Sequence, residues 1–199
     1  MPDARESAPP KPSALRWAVI AVVVYTAVAS LLLIGGRANP AVVIHFGRKA
    51  PNLALARSDF GPSVPIPLKD GQDGEYFWVL ARDPLLLHPA TVFRNLDRPA
   101  YRAQRIGYPA LAAPWGVAGP YGLAWGLIIT NLAAVAVGAA ATAGIAGRRG
   151  VPDRAVLAWV ASPAIFISFV LDTGDVVALA AVMVCVWSLL TSRWGAAVL

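Results

Sequence analysis

The chain has 199 residues, of which 57% are hydrophobic and only 14% charged, and its formal net charge is +6. A soluble domain usually carries about 25% charged residues, so this composition excludes an ordinary soluble protein. The apolar residues form long runs, as in polytopic membrane proteins. The basic residues lie in loops and at the ends of these runs, where membrane lipid headgroups are the expected partners. No nucleic-acid-binding motif accompanies them.

The N-terminal part contains a polar tail and the first predicted span. Residues 1–14 are polar and rich in proline, which predicts a disordered tail. The apolar run 15–34 is long enough to cross the roughly 30 Å hydrocarbon core as transmembrane helix 1. Residues 27–29 resemble a signal-peptide cleavage site, but they lie inside the run, so we expect an uncleaved anchor.

Residues 35–118 are predicted to form a long outer loop, and long loops of compact proteins are usually functional. A short strand is expected at 41–46. From Asp73 onward the apolar residues recur at three- and four-residue spacing, which predicts an amphipathic helix in the membrane interface. The part from 106 to 118 contains two prolines, and we interpret it as interfacial or re-entrant. A full crossing here would invert the topology of everything that follows.

Residues 119–199 are predicted to hold three further transmembrane helices, with apolar runs at 123–146, 156–171 and 176–190. The expected fold class is therefore an all-α polytopic integral membrane protein. It would have about four transmembrane helices and an outer loop that carries interfacial helices.

Basic residues near the spans set the expected orientation. Four spans place three clusters on one side: Arg5, Lys11 and Arg16; Arg148, Arg149 and Arg154; and Arg193. The positive-inside rule makes that side cytoplasmic. The expected location is thus the plasma (inner) membrane, with several crossings and a cytoplasmic N-terminus.

Two acidic sites are predicted to share the outer face. The first is Asp70, Asp73 and Glu75 at the start of the amphipathic helix, and the second is the pair Asp172 and Asp175 before the last span. A carboxylate can act as general base on a sugar hydroxyl that lies within hydrogen-bond reach. The alternative is structural, with Asp73 and Asp172 as N-caps of the helices that follow them and Asp175 in the first turn of the last span.

Arginines and aromatics crowd the chain where it enters the next apolar run. The group includes Arg94, Arg98, Tyr101, Arg102, Gln104, Arg105 and Tyr108. The planar guanidinium suits phosphate oxygens, and aromatic rings can stack on sugars or lie at headgroup level. The alternative is an interfacial belt that binds headgroups without selectivity. His45 and His88 are far apart and lack metal-ligand spacing, so no metal site is predicted.

Three short motifs carry a resemblance to a known family. They are Asp73-Gly74-Glu75-Tyr76-Phe77, then Ala81-Arg82-Asp83-Pro84, then the run RPAYRAQRIGYP at 98–109. In this order they resemble the N-terminal part of the bacterial polytopic glycosyltransferases of the GT-C class, which use polyprenyl-phosphate sugar donors. Further points of similarity are Asn131, Arg148-Arg149-Gly150, Ser162-Pro163 and the acidic turn at Asp172.

The resemblance implies specific roles. Asp73 would be the catalytic base, and Asp172 or Asp175 a second acidic position. Arg102 and Arg105 would bind the donor's phosphate, and Glu75, Tyr76, Tyr101 and Gln104 would complete the substrate site. Glu75 stands where related sequences often have Gln. The lipid-linked sugar would be a co-substrate, and no other cofactor is expected.

Members of this class usually have eight or more spans, whereas about four are predicted here. We therefore expect a fragment, a split protein whose partner membrane subunit completes it, or a remnant without activity. The main alternative is a non-enzymatic small membrane subunit that binds lipid or packs against a partner helix bundle. The small residues at 138–144 would allow such close helix approach. A transporter ranks third because no polar track runs through the spans.

Overall fold

The computed structural model describes residues 13–191, which are helical apart from turns, loops and one isolated bridge between Gly47 and Leu68. The predicted tail up to residue 12, with Arg5 and Lys11, lies outside the described residues, as does Arg193. Three helical segments are long and apolar enough to cross a membrane, namely Ala14–Gly35, Gly107–Arg149 and Asp153–Val170. The prediction of an all-α membrane protein is therefore confirmed.

The α-helices follow one another as α1 (Ala14–Gly35), α2 (Leu53–Phe60), α3 (Asp73–Ala81), α4 (Pro89–Phe93), α5 (Pro99–Ala103), α6 (Gly107–Ala112), α7 (Gly119–Arg149), α8 (Leu157–Val160), α9 (Pro163–Val170) and α10 (Asp175–Thr191). Short 3-10 helices lie at Pro40–Ile44, Ala113–Ala118 and Asp153–Val156. The fourth predicted span corresponds to α10, an apolar helix of 17 residues.

Two long helices, α1 and α7, form the frame of the molecule. α1 has 22 residues and rises about 33 Å, while α7 has 31 residues and rises about 46 Å. Arg16 at the start of α1 lies 3.9 Å from Asp153, just beyond the end of α7, so the two helices run antiparallel. From Arg16 to its end, α1 rises about 28 Å, and an equal rise back along α7 from Arg149 reaches Asn131. The end of α1 therefore lies level with Asn131. The first part of α7 therefore projects roughly 18 Å beyond α1.

Residues 36–118, which we call the cap, pack around this projecting part of α7. At its centre α3 is buried along its whole length from Gly74 to Ala81. The Trp78 ring lies 5.2 Å from Phe46 and 5.6 Å from Phe60, and Phe60 in turn lies 5.2 Å from Tyr121 of α7. Together with packing against α5, α6, α7 and the 3-10 helix Pro40–Ile44, these contacts enclose α3 on all sides, so it lacks the free polar face of the predicted amphipathic helix.

The prediction of a short strand at 41–46 is wrong. The chain forms a 3-10 helix at Pro40–Ile44 instead. Proline at its first position pre-sets a helical backbone angle, and the Asn39 side chain accepts a hydrogen bond from the Ala41 N–H at 3.0 Å. Local capping therefore outweighs the apolar pattern that suggested a strand.

The segment 107–118 folds back along α7. Gly126 of α7 faces the Ala112 carbonyl and Trp115, and Gly122 faces Ala118, at distances that leave no space for a side chain on either glycine. The segment rises only roughly 20 Å, which is less than the hydrocarbon core requires. It therefore turns back as a helical hairpin with α7 instead of crossing alone.

The small residues of α7 are used within the chain. A Cβ atom at Gly138 would lie 1.9 Å from the Trp159 ring, and one at Gly144 would lie 2.6 Å from the Trp187 ring. Trp159 also donates a hydrogen bond from Nε1 to the Val135 carbonyl at 3.0 Å. The glycines that were expected to admit a partner helix thus receive two tryptophans of the same protein.

Candidate functional site

The two predicted acidic sites come together at the base of the cap. Gly74, next to Asp73, packs so closely on Asp172 that a Cβ atom there would lie 3.0 Å from the Asp172 carboxylate and 2.9 Å from the Ile44 carbonyl. Only glycine fits between the start of α3 and the α9–α10 turn. Because Asp172 is hydrogen-bonded to Asn131, this contact lies level with the end of α1.

Asp73 is held by two arginines of the α5–α6 region. Its Oδ1 accepts from Arg102 Nη1 at 2.5 Å, and its Oδ2 accepts from Arg105 Nη1 at 2.7 Å. Both carboxylate oxygens therefore have a charged donor, which is the strong form of hydrogen bond.

Arg102 and Arg105 have different environments. Arg102 is buried, bonds Asp97 through Nε at 2.9 Å and Nη2 at 3.1 Å, and lies 4.0 Å from the Tyr76 ring centroid. These bonds from Arg102 lower the pKa of Asp97. The Arg105 side chain is 40% exposed and bonds the Tyr101 hydroxyl. Arg102 is thus saturated by the protein, whereas Arg105 can turn toward a ligand.

Asp172 forms a buried polar cluster with two residues of the hairpin. Its Oδ1 accepts from the Tyr108 hydroxyl and from Asn131 Nδ2, the latter at 2.7 Å. Its Oδ2 is buried without a partner among the described residues. Burial raises the pKa of Asp172 from 3.8 to about 7, although the bonds from Tyr108 and Asn131 oppose this. The residue also has a positive φ of 52°, a conformation that is uncommon outside glycine and concentrated at functional positions.

Neither Asp73 nor Asp172 caps the helix that follows it. The N-cap of α3 is Gln72, without a side-chain bond, and Asp73 is the first helical residue. At the start of α10 the hydroxyl of Ser168 accepts from the Val176 N–H at 3.2 Å. The prediction that Asp73 and Asp172 serve as N-caps is therefore wrong, whereas the prediction that Asp175 lies in the first turn of the last span is confirmed.

Glu75 faces the interior instead of the site. Its Oε2 accepts from the Gly47 N–H at 2.9 Å, and Gly71 packs directly on the carboxyl group. Burial raises the pKa of Glu75 against this opposing backbone bond. Its position ties the loops at 47 and 71 to α3, so it orients Asp73 rather than contacting a substrate.

A cavity of about 630 Å³ opens beside these groups. Its polar wall contains Arg105, Gln104, Thr173 and Asp175, and Asp175 accepts from the Thr173 hydroxyl at 2.9 Å. Its apolar wall is formed by Phe77, Leu111, Val177, Ala178 and Ala181, and the last three follow α10 into the apolar layer. The cavity therefore offers a charged mouth and a hydrophobic floor, as a ligand with a polar head and an apolar tail requires.

The other cavities and side-chain clusters in the described part of the chain have fewer groups that could bind a ligand or a metal. A second cavity of about 530 Å³ beside α3 contains one charged residue, Arg82, which already pairs with Asp59. The His45 ring bonds the Val43 carbonyl at 2.7 Å, and His88 lies 3.6 Å from Asp83. No group of three metal-ligating side chains occurs within residues 13–191.

Sequence reasoning placed Asp73, Arg105, Tyr101, Gln104 and Asp175 in one region, and the structure brings them together. It gave no role to Tyr108 and Asn131 in holding Asp172. An asparagine inside an apolar helix was the available signal, because polar groups in membrane helices are costly and mark functional positions.

Comparison with protein-family models, with curated proteins and with solved structures found no match for this chain.

Proposed function

We propose that this chain is a short membrane glycosyltransferase, or the N-terminal portion of one, that moves a sugar from a polyprenyl-phosphate donor to an outer-face acceptor. The observation that carries the proposal is the cavity that has Arg105, the partner of Asp73, at its mouth and the apolar face of α10 as its floor. A lipid-linked sugar has a phosphate beside the reacting carbon and a hydrocarbon tail, so it matches both walls.

In this proposal the donor's phosphate competes with Asp73 for Arg105. Arg105 is the exposed arginine and lines the cavity, whereas Arg102 stays bound to Asp97 and Asp73. Once Arg105 engages the phosphate, Asp73 Oδ2 loses its donor and becomes a free acceptor. The resting ion pair would keep the carboxylate positioned until the donor arrives.

The transfer step then follows in one displacement. Asp73 removes the proton of the acceptor hydroxyl, and the acceptor oxygen forms a bond to the anomeric carbon. The bond from that carbon to the lipid phosphate breaks, and the phosphate leaves with the electron pair. Arg105 stabilises the charge that develops on it. The residues Tyr101 and Gln104 lie beside Arg105 at the surface, where a sugar ring would be placed.

The first test is transfer from a panel of radiolabelled polyprenyl-phosphate sugars by the purified chain. Asp73→Asn should abolish transfer while the protein still inserts and expresses. Asp59→Asn is the matched control, since Asp59 also pairs with an arginine but lies away from the cavity. Transfer retained by Asp73→Asn would refute the assignment.

The alternative of a non-enzymatic subunit has less support. Its form that packs against a partner helix bundle depended on a small-residue face of α7, and Trp159 and Trp187 cover Gly138 and Gly144 within the chain. If the folded wild-type protein transfers none of the sugars, a subunit or an incomplete enzyme becomes the better proposal.

A further inference from the structure

Four arginines gather at the end of the helical frame that lies opposite the cap. They are Arg16 in the first turn of α1, Arg148 and Arg149 in the last turn of α7, and Arg154 in the 3-10 helix Asp153–Val156. The contact of α7 with both α1 and this 3-10 helix holds the three elements together. We call this group the basic end.

The protein neutralises little of this charge. Within the described residues 13–35 and 143–170, Asp153 is the single acidic residue. Arg16 lies 3.9 Å from it, and the exposed Arg16 side chain makes this a weak, screened pair. Arg148 donates to the Leu190 carbonyl at 3.3 Å. In the part of the chain that the structure describes, the exposed side chains of Arg149 and Arg154 have no hydrogen-bond or ion-pair partner.

Apolar side chains lie exposed beside these charges. Leu15 is 76% exposed and Val19 53% exposed on α1, and Leu157 is 47% exposed at the start of α8. Each lies within a turn of one of the arginines along the chain and continues the apolar surface of the spans. A ligand here would meet guanidinium groups at one end and hydrocarbon at the other.

We propose that the basic end is a binding site for an anionic phospholipid, with Arg149 and Arg154 on its phosphate and the acyl chain along the apolar surface of the spans. Basic clusters at the ends of membrane helices attract anionic headgroups. A free phosphate ion would satisfy only the arginines and would leave the adjoining apolar surface unused. The site is separate from the cavity at the cap, so it does not depend on the proposed transferase activity.

The test uses the full chain in a neutral detergent. Phosphatidylglycerol, phosphatidylcholine and inorganic phosphate are titrated separately, while native mass spectrometry counts bound lipid and thermal unfolding reports stabilisation. We expect phosphatidylglycerol to bind and to raise the unfolding temperature, and the other two to have little effect.

The double variant Arg149→Gln/Arg154→Gln should weaken phosphatidylglycerol binding roughly thirtyfold, since each arginine contributes about a factor of five at an anionic surface. Arg48→Gln/Arg57→Gln removes the same charge from exposed positions in the cap and should bind as wild type. Arg149→Lys/Arg154→Lys keeps the charge and should retain most binding, which controls for folding. Equal binding by the glutamine variant, equal binding of phosphatidylcholine, or the same stabilisation by phosphate alone would overturn the proposal.

Discussion

At the scale of single residues, Arg102 and Arg105 show how neighbours three positions apart acquire different tasks. Arg102 is buried between Asp73 and Asp97 and lies on the Tyr76 ring, so it organises the site. Arg105 shares Asp73 but keeps an exposed guanidinium at the cavity. Arg102 therefore holds the site in place, whereas Arg105 takes part in the proposed chemistry.

This difference predicts opposite outcomes for the two substitutions. Arg102→Gln should lower the free energy of unfolding by roughly 2–3 kcal/mol, less than for a fully buried pair because Asp73 and Asp97 are partly exposed. Arg105→Gln should cost less than about 1 kcal/mol but remove donor binding. Denaturant unfolding in detergent and a donor-binding assay measure both effects. A greater loss of stability for Arg105→Gln would contradict the division of roles.

Asp172 predicts a pH-dependent stability. Its pKa is about 7 in the folded protein and 3.8 when unperturbed, so the folded state binds the extra proton between these values. Stability should therefore be highest at low pH within this window and fall as pH rises through about 7. Glu75, with its raised pKa, contributes with the same sign.

Thermal unfolding between pH 5 and pH 8 checks this directly. Asp172→Asn removes one titrating group and should flatten the slope in part, because Glu75 remains. Asparagine keeps an acceptor oxygen for Asn131 and tolerates the positive φ, so the fold should be retained. The control Asp70→Asn changes an exposed carboxyl group and should keep the wild-type slope. A slope unchanged by Asp172→Asn would show that another group is responsible.

At the scale of elements, the packing of α7 depends on glycines that face tryptophans. The Trp159 ring lies over Gly138 and is fixed by the bond from its Nε1 to Val135. Trp187 covers Gly144 but is 40% exposed, so it has room to move. The α7–α8 contact is therefore more constrained than the α7–α10 contact.

Gly138→Ala should accordingly destabilise the protein by about 1–3 kcal/mol, because the new methyl group overlaps a buried ring. Gly144→Ala should have a smaller effect, since Trp187 can shift into the surrounding apolar phase. Unfolding of both variants in the same detergent compares the effect of one added methyl group at each position. An equal or larger effect at Gly144 would mean that Trp159 is the more adaptable ring.

At the scale of the whole molecule, the cap and the basic end occupy opposite ends of a membrane bundle. The frame of α1 and α7 separates them, and the segment 107–118 turns back within the cap instead of adding a crossing. The predicted orientation with a cytoplasmic N-terminus therefore places the candidate site on the outer face.

Cysteine labelling in intact bacterial cells tests this orientation. In a Cys185→Ser background, Ser58→Cys in the cap should react with a membrane-impermeant maleimide from outside, since residue 58 is exposed. Val151→Cys at the basic end should react only after permeabilisation. Labelling of both positions from the same side would rule out the arrangement.

The sequence by itself determined the membrane class, the first helix and the start of α3 at Asp73, since these depend on apolar run length and spacing along the chain. It also identified most residues of the candidate site. Tertiary structure alone decided that α3 is enclosed, that Arg102 is buried between two carboxylates while Arg105 stays exposed, and that Asp172 bonds Tyr108 and Asn131. The bonds of Asp73 and of the Asp172 cluster join residues 23 to 64 positions apart. No local pattern specifies which of several competing donors and acceptors meet when the chain closes.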